Sequence, residues 1–143
     1  MFKKALLGAT LALALLAAAR AEAQTQSHIF PVTAASGNVA AAAAIATLPA
    51  AQGLTTFISG FEITASGATS ASCVNATVAG LVSGSLTYTF CVPAGVTAEA
   101  PALIVNFNPP VPAASVNTAI TVTLPSLGAG NTNATVATHG FQQ

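Results

Sequence analysis

The sequence predicts an all-β fold: a single antiparallel β-sandwich of jelly-roll type with about seven to eight strands. A short Ala-rich helix near the N-terminus is the one departure it allows. Three observations predict this class. Short runs rich in Thr, Val, Ile and Phe recur from residue 54 onward, and Gly and Pro punctuate them at regular spacing. Within several runs apolar and polar residues alternate with the period of two that a half-buried strand requires. No long repeat marks a solenoid, and no hinge marks a second domain.

Residues 1–23 read as a secretion signal. Lys3 and Lys4 form a basic start, residues 5–19 an apolar run, and Ala21-Glu22-Ala23 the small residues that signal peptidase accepts. Ala19-Arg20-Ala21 is a second acceptable site. As a helix the apolar run spans about 22 Å, short of the roughly 30 Å of a hydrocarbon core, so it does not fit a membrane anchor. The expectation is an exported chain, in the periplasm, at the cell surface or outside the cell, with no membrane attachment after cleavage. Disulfides persist in those compartments.

Removal of the signal changes the composition. Lys3, Lys4 and Arg20 are the only basic residues, so the net charge of +0 conceals that residues 24–143 hold no Lys, no Arg and no Asp. Glu62, Glu99, His28 and His139 are what remains, besides Tyr88 and the cysteines. A surface without cations has nothing with which to displace counterions from a phosphate backbone, so nucleic acid, anionic lipid and phosphorylated ligands are excluded as partners. Near-zero charge also favours association. Two readings fit: a monomer solvated by Ser, Thr, Asn and Gln, or a subunit that buries surface against copies of itself. The second is taken forward, as a homo-oligomer.

Along the chain, residues 24–36 read as a flexible arm that contains HIFPVT (28–33), an extended piece in which Pro31 denies a ladder hydrogen bond, so that it is an edge strand or part of the arm. Residues 37–143 read as the sandwich domain. GNVAAAAAIATLPAAQG (37–53) fits either a helical turn or two, ended by Pro49, or an Ala-rich strand packed closely on a neighbour. TTFISGFEI places Phe57, Phe61 and Ile63 at even spacing, with Gly60 as a bulge or close-approach point. Strands follow at 72–78, 85–92 and 102–107. NPPVPA then reads as an extended crossing loop, SVNTAITVTL (115–124) as an alternating strand, PSLGAGNTN as a turn, and ATVATHGF as the last strand.

Cys73 and Cys91 are the only cysteines. Taking residues 72–92 as a hairpin with its turn at 80–84 and Val82 at the centre, Val78 faces Leu86, Ala76 faces Tyr88 and Val74 faces Phe90. The opposite face then pairs Thr77 with Thr87, Asn75 with Thr89, and Cys73 with Cys91. A slip of one residue destroys all three matches. Opposed strand positions lie within disulfide range, and closing a loop of roughly 18 residues is worth about 3 kcal/mol. A metal site needs more ligands than the chain offers nearby, and a redox pair needs a closer spacing and a lowered thiol pKa. The pair is expected to be a structural disulfide.

No constellation for chemistry stands out. Glu62 points away from Phe61 and Ile63, and Glu99 sits in a loop between strands, so a glycosidase pair would need the two to converge. His139 in THGF has no Asp and no nucleophile motif to work with, and GAGN (128–131) lacks the Lys and helix of a phosphate loop. The expectation is a non-enzyme, with no catalytic residue, metal or cofactor.

The stretches SGNVAAAAAIATLPAAQGLTTFISGFEITASGATSAS, NATVAGLVSGSLTYTF and NPPVPAASVNTAITVTLPSLGAGNTNATVATHGF carry a resemblance. Over residues 35–142 the chain is similar to small β-rich, virion-associated proteins of tailed phages and prophages, of decoration or fibre type. The shared residues are those of turns and core, so the resemblance implies fold and brings no catalytic or binding residues with it. The signal and the cysteine pair are departures from that pattern. The expected role is a self-associating structural subunit of a surface or virion-like assembly. Its expected contacts are His28 and Phe30 of the arm, added to a neighbour's sheet edge, and the outward rows Asn75, Thr77, Thr87, Thr89 and Asn117, Thr121, Thr123. The alternative is a monomeric module for a neutral glycan, with an exposed Phe such as Phe141 as the platform.

Overall fold

Among the described residues eight runs pair as strands, and the period-two pattern decides which side of each faces inward. A computed structural model describes residues 29–143; residues 1–23, expected to be a secretion signal, and His28 lie outside the described residues. The strands are β1 (Phe30–Ala35), β2 (Ala44–Leu48), β3 (Thr56–Ala65), β4 (Ser72–Leu81), β5 (Gly84–Val92), β6 (Leu103–Pro112), β7 (Ile120–Leu124) and β8 (Ala134–Gln142). They form two four-stranded antiparallel sheets, ordered β1-β8-β3-β6 and β2-β7-β4-β5. The chain changes sheet at every connection except the β4–β5 hairpin, which is the doubled Greek key of a jelly roll. Between the sheets lie Leu48, Ile58, Phe61, Ile63, Val78, Ile120, Val122, Leu124 and Val136, all fully buried. Phe61 is the largest of them, meeting Tyr88 edge-on at 5.3 Å and Phe107 at 6.2 Å between ring centroids.

Within residues 37–53 the regular element is a strand, Ala44–Leu48, and no helix occurs among the described residues. In β2, Ala44, Ala46 and Leu48 face the core while Ile45 and Thr47 face out. Alternation outweighs the helix propensity of alanine, because a helix this short is marginal alone whereas a strand gains a partner in β7.

Of the two readings of HIFPVT the edge strand holds, and Phe30–Ala35 is not a free arm. It pairs with β8 from Phe30↔Gln142 to Ala35↔Ala137 as the edge of its own sheet, where Pro31 is tolerated, so the ordered domain begins before residue 37. Deleting residues 24–33 would therefore remove part of the fold as well as any arm.

Two further expectations change. The prolines of NPPVPA belong to β6, not to a loop. β6 is an edge strand, so its missing donors cost no ladder bond on the open side, and the pairing with β3 jumps from Gly60↔Asn106 to Ile58↔Val111, leaving residues 107–110 opposite a bulge. The same bulge shifts the phase of β3. Phe61 and Ile63 face inward with Ile58, whereas Phe57 faces out. In 115–124 only Ile120–Leu124 is strand; Asn117 sits in the preceding turn at φ +60°.

Candidate functional site

The hairpin register matches the sequence reading pair for pair: Val78↔Leu86, Thr77↔Thr87, Ala76↔Tyr88, Asn75↔Thr89, Val74↔Phe90 and Cys73↔Cys91. Cys73 and Cys91 form a disulfide with their Cα atoms 4.1 Å apart, and both are exposed on the outer face of the sheet. That bond indicates an oxidising, extracytoplasmic setting. No helix among the described residues is long and apolar enough to cross a membrane.

Most of the expected assembly residues share that outer face. β7 pairs with β2 and β4, so that Ile45, Thr123, Thr77 and Thr87 lie in one cross-strand row, and Thr47, Thr121 and Ala79 in the next. Asn75 and Thr89 extend the array toward the disulfide. The hydroxyls are tied laterally: Thr47 Oγ1 lies 3.2 Å from Thr121 Oγ1, and Thr89 Oγ1 donates to Asn75 Oδ1 at 3.2 Å. The face carries no charge, and Ile45 in its first row is 51% exposed. Asn117 is not a member. Its side chain instead accepts from the Gly53 N–H at 2.7 Å, closing one end of the sandwich. Phe30 lies on β1, in the other sheet.

The other outer face differs in chemistry. Pro31, Phe141, Phe57 and Pro112 form one cross-strand row, in which Phe57 and Phe141 stack with centroids 4.9 Å apart and planes 8° from parallel. The next row is Thr33, His139, Gly60 and Asn106. A side chain at Gly60 would meet the His139 imidazole at 2.9 Å, so the glycine leaves room for that ring to lie across the sheet. Beyond it, Ala35, Ala137, Glu62 and Ile104 follow. Thr33, Glu62 and His139 edge an open depression of about 470 Å³ floored in part by Ala35 and Ala137. Glu99, bridged to Ser66, lines a separate depression of about 340 Å³ with Thr64, Asn133 and Thr135. Glu62 of β3 and Ser66, the residue bridged to Glu99, stand four positions apart, about 13 Å of extended chain, and the two glutamates line different depressions.

Loops at one end of the sandwich are cross-linked by backbone bonds, among them Thr69 N–H to Ala129 O at 2.8 Å and Gly95 N–H to Ala68 O at 2.8 Å. Asn131, 2% exposed, donates through Nδ2 to Ser66 O at 2.8 Å and Asn133 O at 3.0 Å. GAGN is thus part of a turn held by a buried asparagine. Among the described residues no group of three or more His, Cys, Asp or Glu is placed to hold a metal ion.

Sequence reasoning missed the Phe57–Phe141 stack, because the bulge that turns Phe57 outward has no signal beyond Gly60. It also missed Asn131, one of many polar residues in a turn-rich segment. Family models, curated proteins and solved structures give no match to this chain.

Proposed function

We propose that the chain is a non-enzymatic, exported structural module that associates with copies of itself in a surface or virion-like assembly. The observation that carries this reading is the outer face of the β2-β7-β4-β5 sheet, an uncharged array of Thr and Asn in register that ends at an unprotected strand edge. Hydroxyl rows and backbone groups supply directional contacts without charge, and the lack of like charges removes the usual repulsion between copies. The test is light scattering behind size exclusion on the chain exported from its own leader. A mass of two or more chains, rising with concentration, supports the reading; a clean monomer across the whole range rejects it.

A second reading, a module for a neutral glycan, draws on the other sheet. Stacked Phe57 and Phe141 beside Thr33, His139, Glu62 and Asn106 offer an apolar patch next to hydrogen-bonding groups, the combination that sugar rings use. A screen against immobilised neutral glycans, repeated with Phe141→Ala, tests it: binding lost in the variant is expected, and no retention of the unaltered chain on any glycan refutes it.

A further inference from the structure

We infer that the open edge of β5 is where two copies of the chain join, strand to strand and antiparallel; this deepens the self-association reading and rests on it. The four sheet edges are β1 and β6 in one sheet and β2 and β5 in the other. Exposed edges invite pairing, and natural chains blunt them with proline, charge or shortness. β1 carries Pro31, β6 carries Pro109, Pro110 and Pro112, and β2 has 5 residues. β5, GSLTYTFCV, has 9 residues with no proline and no charged side chain, and β4 is its only strand neighbour among the described residues.

The hydrogen-bond phase of this edge follows from the hairpin. A Cα separation of 4.1 Å at Cys73↔Cys91 is that of a non-hydrogen-bonded pair, since bonded pairs sit near 5.5 Å. Phe90, Tyr88 and Leu86 therefore bond to β4, while the N–H and C=O groups of Cys91, Thr89, Thr87 and Ser85 point away from it. A second β5 laid antiparallel with full overlap, its two-fold axis at Tyr88, sets Thr87 against Thr89 of the other copy and Ser85 against Cys91. Every facing pair then has outward backbone groups on both sides, for about eight inter-chain hydrogen bonds at two per pair. Side-chain faces match as well, because these four residues all lie on the outer face. The row Ile45, Thr123, Thr77, Thr87 would continue into Thr89 and Asn75 of the second copy. The disulfide clamps one end of the edge, so little ordering is needed on pairing. A dimer of this kind is isologous and closed, with one continuous eight-stranded sheet.

The experiment is sedimentation equilibrium on the exported chain, on Thr89→Pro, and on Thr87→Lys with Thr89→Lys. Thr64→Val, an exposed position on β3 in the other sheet, is the control. Proline at 89 removes an outward donor and leaves the β4–β5 ladder its bonds. Because each dimer contains the site twice, a loss of about tenfold per copy predicts roughly 100-fold weaker association. The lysine pair places like charges opposite each other at exposed positions and should also give monomers, with native melting and an intact disulfide. It serves if the proline variant fails to fold. Folded variants that associate as tightly as the parent overturn the β5 edge while leaving self-association standing. A parent chain that stays monomeric rejects both.

Discussion

Replacing both cysteines, as Cys73→Ser with Cys91→Ser, should cost the domain about 3 kcal/mol. The figure comes from the loop alone: a cross-link with a sequence separation of 18 removes about 11 cal/mol/K from the unfolded chain, or roughly 3 kcal/mol at 25 °C. Both positions are exposed, so the serines leave no cavity and bury no polar group, and nothing else should add to the loss. The hairpin keeps its ladder and the bond from Thr89 to Asn75. With an unfolding entropy near 2.1 cal/mol/K per residue over roughly 115 residues, the same loss lowers Tm by about 12 °C. Urea titration followed by circular dichroism measures it, and the m-value should rise because the unfolded chain is no longer looped. A loss below about 1 kcal/mol would refute the entropic argument, and one above about 5 kcal/mol would mean that the bond also holds the native hairpin in shape.

Other substitutions probe the packing. Phe61→Ala should cost about 3–5 kcal/mol in the same titration, since Phe61 is fully buried and touches both Tyr88 and Phe107. At Gly140 a Cβ would collide with the backbone carbonyl of Phe57, so Gly140→Ala should cost about 3 kcal/mol or more. Gly37→Ala, at φ +67° with nothing within 4 Å, should cost only about 1 kcal/mol, and equal losses at the two sites would contradict the contact argument. Asn131→Ala removes two donors from buried or half-buried carbonyls and should cost about 2–4 kcal/mol; an unchanged melting temperature would show that the loop cluster does not depend on it.

The hairpin was legible to the residue because three separate patterns, apolar, hydroxyl and cysteine, agree on a single register there, and a slip would break them together. Elsewhere one pattern had to serve. In β2 the alternation was present, but small alanines read equally as helix. In β3 and β6 the features that mattered were long-range: a bulge at Gly60, and an edge position that makes prolines harmless. Gly60 signals the bulge, as the register shift bears out, but not that it reverses the phase of Phe57, and nothing local shows that the prolines of NPPVPA fall on an edge. Asn117 continued an alternation that turn geometry had already ended. The Thr and Asn rows of β4, β5 and β7 were readable from spacing, whereas the order of those strands, which joins them into one surface, depends on the Greek-key connections. The aromatic row on the opposite face assembles from β3 and β8, which only folding brings side by side.

Amide hydrogen exchange at Thr87, Thr89 and Cys91 tests the central claim most directly, read by NMR on the disulfide-bonded chain at high and at low concentration. These outward N–H groups have no partner strand among the described residues of one copy, so slow exchange is expected in the assembled protein and fast exchange on dilution, while Tyr88 and Phe90 stay protected throughout. Exchange at 87, 89 and 91 that is equally fast at every concentration would contradict assembly through β5.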